Sequence, residues 1–598
     1  MSIEDALFVD LRGGIPLDAE RANAVAQAGF RSLLLHEQQL QGDPADGRRA
    51  LARAGVSKVI IAIEHADSAA LERAEAFGAA GVVVTPTDAA RSSLRTASLM
   101  AAELGLAFTI CPAAGSALEQ KVMAGEDFGE IPLCLQTDRM LAQGRRPADF
   151  RKLSDAQLGL LQLTDRHLRG LQRDAQALPG LGHLTLAPLV ALLARKGFVG
   201  PWVVSAGAAR AEAGDLETLS KQVRLARQAL LNVLDQASFA EPSLQAARAI
   251  LPPRVQAKGF EFIELAIDAR TRAEVETVLS ALSFRRERQH HSAPVELWRQ
   301  GAINIVLNEE IQAEGARPFV CDMGLRVDDA HLSAQRAGML GAHHHAPSRQ
   351  PGRLPIPAMR DSLGTIVHFI DQKSDTHRVW DIEFTPTPVH PSPQPAGLRR
   401  VDHMAQIMPE GEMDSLMLYY LSTFGLRKRT QVEMQDPAGM VASQALETPE
   451  GEVRIALNGV DAAHVTPAST SVQHVALQTD DIFETAAVLA ANGFAALPVP
   501  SAYYQNIAQR FDLDPDLLAA LTRANALYDR NSAGGEFFQV YSLPLSSGLF
   551  FEIVQRKGGY SGYGAANSPV RRAALAQLPD HPAALPTHRH SQKADTHV

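Results

Sequence analysis

The 598-residue sequence predicts two fold classes in one chain: an α/β part that closes into a (β/α)8 barrel, and an α+β part of four βαβββ modules that form two open barrels. The first prediction rests on eight β-rich runs that alternate with helical segments, and the second on a pattern that recurs four times. A chain of this length exceeds what one core supports. We expect the barrel over 1–252, a first module pair without a metal triad over 253–384, a Pro-rich linker over 385–400, a metal-binding second pair over 401–575 and a disordered tail over 576–598.

The composition indicates a soluble globular protein, with 46% hydrophobic and 21% charged residues. A net charge of −10 argues against a nucleic-acid partner. The sequence has no apolar run of the roughly 20 residues that a membrane span needs, and no export signal at its start. The three cysteines lack a C-x-x-C spacing and are expected to be buried free thiols. We therefore expect a cytoplasmic protein that acts on a small molecule, with homo-oligomerisation left open.

The eight runs of the first part are ALFVDL, SLLLHE, KVIIAIE, GVVVTP, AFTICP, PLCLQT, LLQLTD and PWVVSA. Each is apolar on both faces, which is typical of parallel strands covered by helices. Active sites of such barrels lie at the carboxyl ends of the strands. The residues expected there are Glu37, Glu64, Thr85, Cys111, Gln136, Gln162 and Ser205. Only two of them are carboxylates, which is few for a divalent-metal site.

The motifs GLAFTICPA, PLCLQTDRMLAQG, LLQLTD and GFVGPWVVS resemble the sugar phosphate isomerase/epimerase-like TIM barrels, in particular those of bacterial two-domain 3-dehydroshikimate dehydratases. The resemblance implies metal ligands Glu, Asp, Gln and Glu on the last four strands. The matching positions here are Cys111, Gln136, Gln162 and Ser205, so only Gln162 agrees; if the blocks are misaligned by a residue or two, Asp138 or Asp165 is recruited instead. Neutral side chains cannot replace carboxylates around a hard cation. We expect a degenerate barrel that has no dehydratase activity.

The second part repeats a strand followed by a helix. The copies begin as FEFIELAIDARTRAEV, CDMGLRVDDAHLSAQ, VDHMAQIMPEGEMDS and VQHVALQTDDIFETA, and each is followed by further strand-like runs. FTPTPVHPSPQPAGLRR separates the second copy from the third, and its five prolines predict an extended linker. The run RVWDIEF is interpreted as a strand, and the histidine triplet 343–345 as a solvated loop.

The first strands of the third and fourth copies carry His403 and His474, where the earlier copies have Phe262 and Asp322. The last strand, GLFFEIVQR, places Glu552 between apolar neighbours. A carboxylate that faces a barrel interior is costly unless it is paired or binds a metal. Two histidines and one carboxylate are the ligand set typical of non-haem Fe(II) sites with open positions.

The blocks VDHMA, VQHVAL, YYQNIAQRF, LYDRNSAGGEFFQVYS and LFFEIVQRKGGYSGYG resemble the vicinal oxygen chelate superfamily, most specifically the 4-hydroxyphenylpyruvate dioxygenases. The resemblance implies that His403, His474 and Glu552 bind Fe(II) or another divalent cation such as Mg, Mn or Co. It also implies that Gln539 and Asn458 line the substrate pocket, and that the partners are O2 and an aromatic or cyclic carboxylate, foremost an aromatic or related 2-oxo acid.

One departure leaves the substrate open. The dioxygenases have an aromatic residue in the closing helix, near where this chain has Ser568 and Pro569, and the version GYGAAN resembles the fused dehydratases instead. Two alternatives therefore stand beside the dioxygenase. One is 3-dehydroshikimate dehydratase activity of the barrel, which would form protocatechuate. The other is a barrel that serves only as a scaffold or effector-binding domain.

Overall fold

The computed structural model describes residues 4–11, 16–86, 91–113, 116–124, 131–142, 144–167, 176–206, 215–245, 250–311, 317–346, 353–388, 394–429, 432–436, 439–461 and 471–578. The chain forms two compact units, one of residues 1–253 with 339–341 and the other of the remaining residues from 254 onwards. No helix in the described ranges is long and apolar enough to cross a membrane.

The first unit contains a closed barrel of eight parallel strands, as the alternating pattern predicts. The strands are β1 (Leu7–Asp10), β2 (Ser32–His36), β3 (Lys58–Ile63), β4 (Gly81–Val84), β5 (Ala107–Ile110), β6 (Leu133–Gln136), β7 (Leu158–Leu163) and β8 (Trp202–Ser205). Each strand pairs with its sequence neighbours, and β8 closes the barrel against β1. A short ribbon, Asp165–Arg166 with Gln176–Ala177, follows β7.

Helices surround this barrel. They are α1 (Ala19–Gln27), α2 (Pro44–Ala54), α3 (Ser68–Phe77), α4 (Arg91–Glu103), α5 (Ala117–Ala124), α6 (Thr137–Ala142), α7 (Leu186–Arg195) and α8 (Leu216–Ser238). Local sequence sets their ends: before α2, the Asp43 carboxylate accepts a hydrogen bond from the N–H of Ala45, and Gly55 ends the helix with φ 83°. The strands and helices bury an apolar core between them, and strand residues such as Phe8, Leu34 and Val203 form a second apolar cluster.

The second unit begins with a nine-stranded sheet built from the first two modules. Its strands are β9 (Ala257–Ala266), β10 (Arg285–His290), β11 (Val295–Gln300), β12 (Ile303–Asn308), β13 (Phe319–Val327), β14 (His343–His345), β15 (Ala358–Arg360), β16 (Ile366–Ile370) and β17 (Phe384–Pro386). Their order is β14-β15-β16-β13-β9-β12-β11-β10-β17. The helices are α9 (Arg272–Ala281), α10 (Ala330–Met339) and α11 (Val379–Ile382). The first strands of the two modules, β9 and β13, pair antiparallel at the centre.

The third and fourth modules form a second sheet of the same plan. Its strands are β18 (Leu398–Pro409), β19 (Arg427–Lys428), β20 (Val432–Asp436), β21 (Gly439–Glu447), β22 (Arg454–Val460), β23 (Ser471–Thr479), β24 (Leu527–Arg530), β25 (Glu536–Tyr541) and β26 (Phe550–Lys557). Their order is β19-β21-β22-β18-β23-β26-β25-β24, and β20 pairs with β21. The helices are α12 (Glu410–Phe424), α13 (Ile482–Ala491), α14 (Ser501–Phe511), α15 (Pro515–Ala524) and α16 (Ser568–Leu575). Again the first strands of the two modules, β18 and β23, pair antiparallel.

Two local predictions are wrong. The run RVWDIEF is not one strand: Val379–Ile382 is helical, and only Phe384 begins a strand. The helical turn brings the rings of Trp380 and Phe384 to 5.3 Å, so both enter the core of this sheet. The histidine triplet is not a loop but the edge strand β14, because it pairs antiparallel with Ala358–Arg360. Composition alone does not reveal such a distant partner.

The expected linker and tail overlap the described structure only in part. Within 385–400, Thr385–Pro386 belong to β17 and Leu398–Arg400 to β18, while 389–393 lie outside the described residues. The tail prediction for 576–598 falls on residues of which only those to 578 are described.

Candidate metal centre

The predicted triad converges inside the second sheet. His403 lies on β18, His474 on the adjacent β23 and Glu552 on β26, which pairs with β23. In this register His403 pairs with Ala476, and Ala476 pairs with Glu552. His474 lies two residues before Ala476 and so points to the same side of the strand. The side chains of His403, His474 and Glu552 therefore share one face of the sheet. The Nε2 atoms of the histidines are 3.2 Å apart, and Glu552 Oε2 is 3.4 Å from His403 Nε2 and 3.3 Å from His474 Nε2.

This triangle fits a metal ion. Adjacent ligands of an octahedral ion at about 2.1–2.2 Å are about 3.0–3.1 Å apart, which is close to the observed sides. The side chains of His403 and Glu552 are 3% and 2% exposed. In the described part of the chain, these three residues form the group of histidine, cysteine and carboxylate side chains whose ligand atoms lie close enough to hold an ion. Two neutral imidazoles and one carboxylate suit Fe(II) and leave positions open.

Asp402 orients the first histidine ligand. The Nδ1–H of His403 donates to Asp402 Oδ1 at 2.8 Å, which directs Nε2 towards the triad. A register shift between Val401 and His403 lets consecutive residues enter this buried region. Asp402 also accepts hydrogen bonds from Arg556 at 2.8 Å and Arg454 at 3.3 Å. Burial alone would raise the pKa of Asp402, but the charge of Arg556 and these hydrogen bonds hold it well below its usual value.

The remaining oxygen of Glu552 is also held. Gln539 Nε2 donates to Glu552 Oε1 at 2.7 Å and lies 2.8 Å from the hydroxyl of Tyr541. Asn567 Nδ2 donates to Gln539 Oε1 at 2.7 Å, so the amide is fixed from both sides. Burial opposes ionisation of Glu552, but hydrogen bonding and charge from His403 keep its pKa below the usual value. Gln539, predicted to line a substrate pocket, thus contacts the Glu552 carboxylate directly.

On the Nδ1 side, the second histidine is held by packing rather than by a hydrogen bond. The ring of His474 stacks on Phe550 with centroids 4.8 Å apart. Its Nδ1 is buried and has no hydrogen-bond partner among the described residues. Burial lowers the pKa of His474 to about 3. The imidazole is therefore neutral at physiological pH, the form that binds metals.

Asn458 stands apart from the triad. It is half-buried on β22, where it pairs with Ile407 of β18, four residues beyond His403. It shares a strand face with Arg454, which contacts Asp402. Its assignment to the pocket stays a prediction.

The first sheet has the same register without the same ligands. In the first sheet, Phe262 pairs with Gly324, and Gly324 pairs with His368. Phe262 therefore occupies the position that His403 has in the second sheet, and His368 occupies that of Glu552. Asp322 occupies the position of His474. His368 Nδ1 lies 2.8 Å from Asp322 Oδ2. A phenyl ring offers no ligand atom, so this set lacks the third donor.

The carboxyl end of the (β/α)8 barrel holds a polar network around one carboxylate. Asp10, buried at the end of β1, accepts hydrogen bonds from Gln162 at 2.8 Å and Ser205 at 3.1 Å, and His36 Nε2 lies 2.8 Å from its other oxygen. Gln136 Nε2 donates to Gln162 Oε1 at 2.7 Å. Gln136, Gln162 and Ser205, which were predicted to lie at the carboxyl ends of the strands, therefore do lie together. They surround the single carboxylate of Asp10 and not a cluster of carboxylates.

The other residues predicted at the carboxyl ends of the strands do not join this network. Glu37 forms an ion pair with Arg73, while Glu64 and Thr85 are exposed. Cys111 and Cys134 are buried free thiols, and hydrogen bonding between them together with burial raises the pKa of Cys134. All three cysteines are free, as predicted.

The two carboxylates that a shifted alignment would recruit have structural partners. Asp138 accepts hydrogen bonds from Thr164 and Gln176. Asp165 accepts them from backbone N–H groups of the following loop.

Sequence reasoning missed two residues of these sites. Asp10 is the polar residue that ends the run ALFVDL, so the strand-end rule could have found it. Asp402 precedes a predicted ligand, and strand alternation places it on the opposite face; the register shift that brings it inside is a tertiary feature.

Fold and site together define the class: a TIM-like barrel followed by paired vicinal oxygen chelate modules, the second pair of which holds the triad His403, His474 and Glu552. Residues 253–385 match the family "Hydroxyphenylpyruvate dioxygenase, HPPD, N-terminal", and residues 400–517 match the "Glyoxalase/Bleomycin resistance protein/Dioxygenase superfamily". A 3-dehydroshikimate dehydratase of Pseudomonas aeruginosa is 30% identical over 95% of this chain and 97% of its own length. The chain belongs to the family of fusion proteins that includes this dehydratase.

Two further relatives agree with that membership. A 4-hydroxyphenylpyruvate dioxygenase of a Pseudomonas species is 30% identical over 52% of this chain and 91% of its own length. A solved structure described as a xylose isomerase-like TIM barrel/4-hydroxyphenylpyruvate dioxygenase fusion protein superposes with a TM-score of 0.82 at 26% identity, covering 96% of this chain and 99% of that one.

Proposed function

We propose that the C-terminal module pair is a metal-dependent, dioxygenase-type enzyme that acts on an aromatic or related 2-oxo acid. The observation that supports this most is the triad of His403, His474 and Glu552, in which His403 and Glu552 are buried, His474 is half-buried and the ligand atoms lie 3.2–3.4 Å apart. Bound Fe(II) would supply open coordination positions for a chelating 2-oxo acid and for O2.

The surrounding residues suit that chemistry. Asp402 keeps the proton of His403 on Nδ1, so that Nε2 presents its lone pair. Gln539 holds the second oxygen of Glu552 and so favours a single coordinating oxygen. Phe550 and Tyr563 pack against the two imidazoles and limit the access of water to them.

Metal analysis and oxygen uptake test the proposal. Protein reconstituted anaerobically with Fe(II) is expected to hold one ion per chain in the C-terminal site and to consume O2 with phenylpyruvate-type 2-oxo acids. His474→Ala should lose that ion and the turnover. His368→Gln is the matched control, because His368 takes the register position of Glu552 in the first sheet, and it should keep both. A His474→Ala protein with full metal content and activity would refute the assignment.

A second candidate is 3-dehydroshikimate dehydratase activity in the barrel. The relative of that name, which aligns over 97% of its length, favours it. The network around Asp10 speaks against it, since Asp10 is the one carboxylate among the hydrogen-bonded side chains of this network, and a hard cation needs several. Incubation with 3-dehydroshikimate and Mg²⁺, Mn²⁺ or Co²⁺ decides the matter: formation of protocatechuate that survives in His474→Ala would place the activity in the barrel.

The third possibility is a barrel that only supports or regulates the metal site. Deletion of residues 1–250 addresses it. If the remaining chain turns over with unchanged kinetics, the barrel has no regulatory role.

A further inference from the structure

The strand formed by the histidine triplet places two of its side chains on one face of the first sheet. His343–His345 form the edge strand β14, which pairs antiparallel with Ala358–Arg360 of β15. Side chains alternate along a strand, so His343 and His345 point to one face and His344 points to the other. At the usual rise of a strand, the Cα atoms of the first two lie about 6.6 Å apart. Two imidazoles at this spacing can reach the same ion, which three consecutive histidines of a loop cannot do as one set.

A third histidine lies on the same face. His368 of β16 pairs with Ala358, and Ala358 pairs with His345, so these residues form one row across three strands. The small side chain of Ala358 leaves room between the two imidazoles, whose ring centroids are 6.3 Å apart at an angle of 81°. The rings of His403 and His474 in the triad are 5.3 Å apart at 86°. The two pairs share a perpendicular arrangement, with a somewhat wider separation in the first sheet.

Asp322 holds His368 in the orientation that a metal ligand needs. His368 Nδ1 lies 2.9 Å from Oδ1 and 2.8 Å from Oδ2 of this buried carboxylate, much as His403 Nδ1 lies 2.8 Å from Asp402. A carboxylate that accepts the Nδ1 proton leaves the lone pair of Nε2 available, and such pairs commonly stand behind metal-bound histidines. Asp322 lies on β13, on one side of β16, whereas His345 lies beyond β15 on the other side. Nε2 of His368 is therefore the nitrogen left for an ion.

The two histidines of β14 are able to join it. In the part of the chain that the structure describes, their ring nitrogens take part in no hydrogen bond. His343 is exposed and His345 is half-buried at the sheet edge, so both side chains can turn towards an ion that arrives from solvent. Burial and the charge of Arg360 lower the pKa of His345, while the charge of Asp322 acts in the opposite direction. The imidazole of His345 is thus neutral at physiological pH, the form that binds metals.

We propose that His343, His345 and His368 form a second metal site, on the first sheet, which binds a late transition-metal dication such as Zn(II). Three imidazoles and one water complete the tetrahedral coordination that Zn(II) prefers. A set without a carboxylate ligand favours Zn(II), Ni(II) or Cu(II) over Fe(II) and Mg²⁺. The site goes beyond the proposed function and is independent of the triad in the second sheet. A bound ion would also tie the short edge strand β14 to β16.

Equilibrium dialysis of the full-length protein against micromolar Zn(II), followed by metal analysis, tests the proposal. We expect His345→Gln to hold one ion per chain fewer than the wild type. His344→Gln is the matched control, because it removes the same group from the same strand but from the opposite face, and it should hold as many ions as the wild type. Asp322→Asn should keep the site but weaken its affinity about 10- to 100-fold, the usual effect of losing the partner of a ligating histidine.

A melting experiment shows that a lost ion does not merely report a misfolded variant. His474→Ala, which lacks the triad, should still gain thermal stability when Zn(II) is added, because an ion that binds the folded state stabilises it. The double variant His345→Gln/His474→Ala should melt at the same temperature as His474→Ala without metal, and should not respond to Zn(II). A double variant that gains as much stability from Zn(II) as His474→Ala would overturn the site.

The outcomes separate this site from the proposed function. Equal Zn(II) content in the wild type, His344→Gln and His345→Gln overturns the second site and leaves the triad untouched. An equal loss in His344→Gln and His345→Gln also overturns it, since the triplet would then bind as an exposed histidine tract and not through one strand face. An ion that is lost in His345→Gln, with none lost in His474→Ala, supports the second site and refutes the metal assignment of the triad.

Discussion

Asp402 and His403 are adjacent in sequence, yet both side chains face the interior, where His403 Nδ1 donates to Asp402 Oδ1 at 2.8 Å. In a regular strand they would point to opposite faces. The register shift in β18 is what allows this contact, and it makes Asp402 the residue that sets the orientation of His403 within the triad.

We predict that Asp402→Asn lowers the affinity for divalent metal about 10- to 100-fold, the usual effect of losing the partner of a ligating histidine. The amide no longer balances the charges of Arg556 and Arg454, so stability should fall as well. Titration with Co(II), followed by its visible absorption, measures the affinity. Asp480→Asn is the control: this exposed carboxylate pairs with Arg399 at the surface, and its loss should not alter Co(II) binding. Unchanged affinity in Asp402→Asn would mean that the strands alone orient His403.

Two roles of Gln539 can be distinguished by experiment: support of the Glu552 carboxylate, and contact with the substrate alone. Gln539→Leu removes the hydrogen bond to Glu552 Oε1, so we expect weaker metal binding, several-fold, in the absence of any substrate. A pocket role predicts the opposite pattern, in which metal affinity is unchanged and only the KM for the 2-oxo acid rises. Equilibrium metal binding and steady-state kinetics on the same preparation distinguish the two.

Asp361 predicts a pH-dependent contribution to stability. Burial raises the pKa of this carboxyl, which is 3% exposed, to about 6, despite hydrogen bonds from Gln406 and two backbone N–H groups. Because the folded state favours the protonated form, its contribution is complete below the unfolded value of 3.8 and is lost as the pH rises through 6.

Asp361→Asn should therefore stabilise the protein at pH 7 by on the order of 2 kcal/mol, and should do so much less at pH 4.5. Thermal melting at the two pH values measures the difference. Asp375→Asn, at a site 67% exposed, is the control and should show no such pH dependence. An equal effect of Asp361→Asn at both pH values would contradict the shift.

Asp10 is expected to stabilise the barrel. Asp10→Ala would leave the donors of Gln162 and Ser205 buried without their acceptor, which costs about 3 kcal/mol. Hydrogen exchange of strands β1 and β8 reports on this unit alone. Asp46→Ala, an exposed position 72% accessible, should leave exchange unchanged. No loss of protection in Asp10→Ala would show that the network adapts without the carboxylate.

The sequence by itself determined the order of the elements and the three residues of the candidate metal site. Short apolar runs, helical periodicity and an internal repeat are local properties, so they show the eight barrel strands and the four repeated modules without tertiary information. Comparison of equivalent positions in the repeats then singled out His403 and His474. Glu552 followed because a lone carboxylate among apolar strand residues needs a partner.

Tertiary structure alone decided what holds those ligands and what surrounds them. The contact between Asp402 and His403 depends on a register shift in β18. The contact between Gln539 and Glu552 depends on the pairing of β25 with β26. The position of Arg571 over Phe550 depends on where a helix after the last strand returns. Such contacts join residues across strands and loops, and single-sequence periodicity carries no information about which distant segments pair.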